Sequence, residues 1–184
     1  MRPTCLASDV RLLVVTDIHG APDENLCLSA GLSGVERLSL AGLCDQPTLS
    51  GEALHHHLFQ EEGMARAVRR LCDMMADQPA LISLGYSAGG TALWKAVLAG
   101  APLSGLICVS STRLRDESAL PIPTQVYFGG DDPGRPSEAW LTTVPTTATL
   151  LPSAAHAFYA DADHQARAQV AADIADTIAR WTAV

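Results

Sequence analysis

Residues Ala80-Leu81-Ile82-Ser83-Leu84-Gly85-Tyr86-Ser87-Ala88-Gly89-Gly90-Thr91-Ala92-Leu93-Trp94 decide how this chain folds. An apolar run at 80–84 reads as a buried strand. Gly85-Tyr86-Ser87-Ala88-Gly89 is a G-x-S-x-G turn, and residues 91–99 have the composition of a helix. A turn that passes from strand to helix this sharply forces its central residue into a strained conformation. It leaves no room for side chains two positions to either side, hence the glycines. The serine hydroxyl is lifted clear of the sheet and stands at a helix N-terminus, where backbone N–H groups favour developing negative charge. The bland alternative is a small-residue βα turn that packs a helix closely on its sheet.

The same rhythm extends outward from this turn. Residues 11–16 (RLLVVT), 36–41 (ERLSLA), 105–110 (GLICVS), 124–128 (TQVYF) and 148–151 read as further strands, giving six. Helical patterns occupy 22–30, 51–76 in two pieces around Gly63, 137–142 and 160–182, where Val170, Ile174 and Ile178 recur every four residues. Alternating strands and helices predict a mainly parallel sheet with helices on both faces, and the chain has no linker that would divide it, so one α/β domain spanning 1–184 is expected. In such sheets functional groups gather on loops at the carboxyl ends of strands.

A serine hydroxyl needs a base within hydrogen-bond reach, and the base needs an orienting group. Of the six histidines, only His156 lies just past the last expected strand, and the preceding strand runs into Gly129-Gly130-Asp131-Asp132-Pro133. Ser87, an aspartate of that loop and His156 follow one another in the Ser…Asp…His order. An oxyanion would need two donors: the N–H of Ala88, and one from the loop Thr16-Asp17-Ile18-His19-Gly20.

These segments resemble the α/β-hydrolase superfamily, and within it the dienelactone hydrolase-like group. Asp17-Ile18-His19-Gly20 resembles the group's E-I-F-G segment, Gly129-Gly130-Asp131-Asp132 its G-G-x-D, and His156-Ala157-Phe158 its histidine segment. The resemblance implies a minimal, lidless fold, Asp132 rather than Asp131 as the acid, Ile18 as the second oxyanion donor, and Asp17 near the nucleophile. Asp17, His19, Tyr86 and Phe158 become candidates for lining the site. Dienelactone hydrolases proper use a cysteine where this chain has Ser87, so their substrate is not carried over. The implied activity is hydrolysis of small carboxylic esters, lactones or thioesters by Ser87, His156 and Asp132. An inactive binding module of the same fold and an acyltransferase are the alternatives.

Composition bounds the partners. A net charge of −8 argues against nucleic acid and anionic membranes. No apolar window is long enough for a membrane span and the N-terminus lacks a signal-peptide core, so a cytoplasmic protein is expected. Five scattered cysteines without C-x-x-C do not make a disulfide or zinc framework and read as small buried hydrophobes. His55-His56-His57 point in different directions on a helix and read as a solvated helix start rather than a metal site. No cofactor or metal is expected, and the partner is a small-molecule ester.

Overall fold

A computed structural model of the protein describes residues 11–20, 27–78 and 81–183. Its centre is one six-stranded sheet in which every pair is parallel: β1 (Leu12–Val15), β2 (Val35–Leu38), β3 (Ile82–Tyr86), β4 (Gly105–Val109), β5 (Thr124–Gly129) and β6 (Thr147–Leu151). The strand order is β2-β1-β3-β4-β5-β6. The chain steps outward from β1 to β2, then returns to place β3 on the other side of β1. This reversal opens a crevice beyond the carboxyl ends of β1 and β3, the place where such sheets hold their ligands.

The four inner strands are buried along their whole length, as their near-continuous apolar sequences require when both faces are covered. Alternate residues serve two separate cores. Leu13, Val15, Leu106, Cys108, Val126 and Phe128 face one side. They meet α1 (Leu40–Leu43), α2 (Gly51–Gln60), α3 (Gly63–Met75), α4 (Ala88–Leu98) and α5 (Glu138–Thr143). Leu12, Val14, Ile82, Leu84, Tyr86, Ile107, Val109 and Tyr127 face the other side, under α6 (Ala166–Thr182). In α3 the buried residues Met64, Ala67, Leu71 and Met74 fall every three or four positions, the stripe expected of a helix packed on one face. In α6 Val170, Ile174 and Thr177 do the same.

The six strands and the break between α2 and α3 near Gly63 match the sequence reading. Three details differ. Leu40 and Ala41, read as the end of a strand, open the short helix α1, capped by the Ser39 hydroxyl accepting from the Gly42 N–H at 3.0 Å. The last helix begins at Ala166 rather than 160, because Asp161 and His164 side chains accept from the Asp163 and Ala166 N–H groups and hold 161–165 in turns. The expected helix at 22–30 falls largely outside the described residues, and residues 28–31 are turns.

Cys27, Cys44 and Cys108 are buried and Cys72 half-buried, all with free thiols. Burial pushes the Cys108 thiol up to about 12, so it is inert near neutrality. Among the described residues no helix is long and apolar enough to cross a membrane, and no group of three His, Cys, Asp or Glu could hold a metal ion.

Candidate active site

Ser87 leaves β3 and opens α4 with φ 46° and ψ −114°, a conformation that few non-glycine residues adopt. Two close approaches enforce it. A Cβ on Gly85 would run into the backbone of Gly90, and one on Gly89 into the carbonyl oxygens of Val15 and Thr16. Elbow, helix and strand β1 are therefore pressed together to a distance that only glycine permits. The Ser87 N–H donates to Val109 O at 2.8 Å, tying the turn to β4.

The structure brings Ser87, His156 and Asp132 into one hydrogen-bonded line across the ends of β3, β5 and β6. Ser87 Oγ stands 3.1 Å from His156 Nε2, and His156 Nδ1 stands 2.7 Å from Asp132 Oδ2. A carboxylate oxygen only accepts, so the imidazole hydrogen sits on Nδ1 and leaves Nε2 as acceptor for the serine O–H. Asp132 is buried, and its other oxygen accepts from the Gly134 N–H at 2.8 Å, which fixes the carboxylate plane. The neighbouring Asp131 points to solvent. His156 is also held by its backbone: the buried Ser110, with φ 53°, donates its hydroxyl to His156 O at 2.7 Å.

A hollow of about 230 Å³ opens beside this line, and Ile18 and Ala88 belong to its wall. Neither backbone N–H donates to any group among the described residues. As the first residue of α4, Ala88 has no intrahelical acceptor, and the Ile18 N–H projects from the loop after β1. The outer wall comes from His55 and Phe59 of α2, and Thr112, Arg113 and Arg115 of a 3-10 helix, Thr112–Asp116, after β4. Arg113 lies over the Phe59 ring with its guanidinium carbon 4.2 Å from the centroid, and its Nη2 donates to His55 Nε2 at 3.1 Å. Neither Arg113 nor Arg115 pairs with a carboxylate among the described residues, so the mouth is cationic in a chain of net charge −8. Larger hollows at the β6–α6 side, of about 650 and 520 Å³, contain no nucleophile paired with a base.

The four candidate lining residues are placed differently from the sequence reading. Tyr86 is buried: on β3 it shares the parity of Ile82 and Leu84 and so points to the α6 side, where its oxygen accepts from the Leu28 N–H at 3.0 Å. Phe158 is buried in the same core, packed edge-on against Tyr159. His19 is exposed and lies against Gly51 outside the hollow. Asp17 is buried behind the wall, with its carboxylate accepting from the Tyr159 O–H at 2.6 Å and the His19 N–H at 2.7 Å. The histidine run is not a solvated helix start either. It lies inside α2, with His55 on the hollow and His57 buried, its Nδ1 2.6 Å from Glu61 Oε2.

Solved structures share this architecture over nearly the whole chain. A candidate hydrolase of the alpha/beta superfamily from Xanthomonas campestris pv. campestris superposes with a TM-score of 0.65 at 18% identity, covering 93% of this chain and 99% of its own. This is the α/β-hydrolase fold. A dienelactone hydrolase-like promiscuous phosphotriesterase from metagenomic libraries has the same α/β-hydrolase fold, at TM-score 0.63 and 16% identity, covering 95% of this chain and 88% of that one. Est1E from Butyrivibrio proteoclasticus does too, at 0.63 and 12%, covering 97% and 90%. No protein-family model and no curated protein matches the sequence.

Proposed function

We propose that this α/β-hydrolase-fold protein is a serine hydrolase that cleaves small carboxylic esters, lactones or thioesters through an acyl-enzyme. The observation that carries the reading is the line Ser87 Oγ–His156 Nε2–Nδ1–Asp132 Oδ2, at 3.1 and 2.7 Å, beside two backbone N–H groups with no other partner among the described residues. Ser87 Oγ attacks the carbonyl carbon while its proton passes to His156 Nε2. The carbonyl π pair moves onto oxygen, where the N–H groups of Ile18 and Ala88 receive it. Collapse of the tetrahedral intermediate breaks the bond to the leaving group, which takes the proton from Nε2. Water then repeats the sequence and frees Ser87. Asp132 keeps the hydrogen on Nδ1 and stabilises the imidazolium between the two transfers. Names among the fold's relatives, a hydrolase and a phosphotriesterase, agree with hydrolytic chemistry on this scaffold.

The hollow is small and walled by cations, which favours a compact substrate carrying a negative group away from the scissile carbonyl. The test is the intact mass after incubation with a small fluorophosphonate at pH 8, for the wild-type protein and for Ser87→Ala and His156→Ala. One adduct in wild type, absent in Ser87→Ala and formed much more slowly in His156→Ala, is the expected result. A folded wild-type protein that takes no adduct would overturn the reading in favour of a binding module. Product analysis with added alcohol separates hydrolysis from acyl transfer, which shares the first half-reaction.

A further inference from the structure

The oxyanion loop is held from behind by a residue that the sequence did not mark. Asp17 and Ile18 share one peptide plane, and in a trans peptide the N–H points opposite to the C=O. The Ile18 N–H can face the hollow only if the Asp17 carbonyl is turned away from it. Three acceptor groups of the loop are tied down in that orientation, and the Asp17 carbonyl also accepts from the Thr16 hydroxyl at 3.3 Å. The Asp17 carbonyl accepts from the Gly20 N–H at 3.4 Å, the Ile18 carbonyl accepts from the Gly51 N–H at 2.7 Å, and the Asp17 carboxylate is fixed on both oxygens by the His19 N–H and the Tyr159 O–H. Only the Tyr159 contact comes from outside the loop region and reaches a side chain. It spans 142 residues of sequence.

Tyr159 is itself rigidly placed. It is buried, and its ring stacks on Tyr86, the residue before Ser87, with centroids 5.1 Å apart and planes 28° apart. Its carbonyl accepts from Arg167 Nε at 3.1 Å. It lies three residues after His156, so one side chain touches the loop carrying the base, the turn carrying the nucleophile and the loop carrying the second oxyanion donor. Burial and the neighbouring Asp17 carboxylate push its phenol well above the usual tyrosine range, so the O–H stays a donor at every working pH.

We propose that Tyr159 is a positioning residue that aims the Ile18 N–H at the oxyanion, acting through the Asp17 carboxylate. The proposal rests on the hydrolase reading above. A hydrogen bond made only as charge develops acts on the transition state, so a misaimed donor lowers kcat and leaves KM nearly unchanged. Deleting an oxyanion donor outright costs about 10²–10³ in kcat, and misaiming one that remains in place should cost less, about 10–100-fold.

The experiment compares Tyr159→Phe, Asp17→Ala and the double variant with wild type on p-nitrophenyl acetate, with kcat expressed per folded molecule from circular dichroism. A phenylboronic acid supplies a tetrahedral mimic. Tyr159→Phe keeps the ring and its stack on Tyr86 and removes one O–H. The expected result is a loss of kcat of that size at constant KM, a matching weakening of boronate inhibition, and a double variant no worse than either single one. If one single variant does not fold, the other is read against wild type by the same two quantities. Variants that turn over within twofold of wild type, or that raise KM while boronate affinity is unchanged, or whose losses multiply, overturn the role of Tyr159 and leave the hydrolase reading standing. A wild-type protein with no ester turnover and no fluorophosphonate adduct sinks the reading and this inference together.

Discussion

Replacing Ser87 by glycine should leave the protein more stable than replacing it by alanine, although both changes abolish the nucleophile. At φ 46° and ψ −114° a residue with a Cβ is strained, at a cost of about 1–3 kcal/mol. Alanine keeps that strain and glycine releases it. Against the release stands the greater freedom of glycine in the unfolded chain, worth about 0.4–1 kcal/mol. Both variants lose the bond to His156 equally, so it cancels in the comparison, and Ser87 makes no side-chain cap to α4 that one replacement could preserve. The balance favours glycine by about 1 kcal/mol, which for a chain of this length is roughly 2–4 °C in Tm. The assay is a pair of reversible thermal melts followed by circular dichroism at matched protein concentration, with fluorophosphonate labelling to show that both variants are dead. If Ser87→Ala melts at or above Ser87→Gly, the turn is not strained in the way described, and the argument that the fold holds Ser87 in place by force is wrong.

Two further outcomes follow from the same geometry. Gly89→Ala drives a methyl group into the backbone carbonyls of Val15 and Thr16, which stand at the buried carboxyl end of β1 and cannot yield. Overpacking of this kind costs about 1–3 kcal/mol. With an m-value of about 2 kcal/mol/M the urea midpoint should fall by about 1 M, and an unchanged midpoint would refute the close approach. The paired change Arg113→Gln/Arg115→Gln should lower kcat/KM for p-nitrophenyl hemisuccinate by about 3–10-fold relative to p-nitrophenyl acetate, with the difference shrinking as salt is raised. An equal effect on both esters would show that these arginines act through packing on Phe59 and not through charge.

The fold was legible because β1, β3, β4 and β5 are buried on both faces and so appear as uninterrupted apolar runs, each punctuated by the turn chemistry of the loop that follows. Where an apolar run is short the same signal is ambiguous, and Leu40-Ala41-Gly42-Leu43 formed a helix instead of extending a strand. The polar line of the candidate site was legible because Ser87, Asp132 and His156 each sit one short loop past a strand end. The walls were not. Tyr86 could have been placed correctly, since strand parity with Ile82 and Leu84 already turns it from the site. The meeting of His55 with Arg113 could not, because it depends on how α2 lies against a 3-10 helix more than fifty residues away. Tyr159 was hidden for the same reason, with its partner 142 residues upstream.

The geometry of the line is set by backbone more than by side chains, and this has a consequence for how the site tolerates change. Ser87 and Ser110 stand at the ends of adjacent strands, and both have positive φ. Such conformations persist only where the surroundings over-determine them. Here the surroundings are the buried ends of β3 and β4: the Ser87 N–H is bound to Val109 O, and the Ser110 hydroxyl holds the carbonyl of His156. Nucleophile and base are thus both referenced to the end of β4, inside the sheet. The side chains of His55, Phe59, Arg113 and Arg115 that line the hollow take part in neither contact. Substitutions at His55, Phe59, Arg113 and Arg115 can therefore reshape the hollow without dismantling the Ser87–His156 pair, whereas changes at the ends of β3 and β4 move both side chains together.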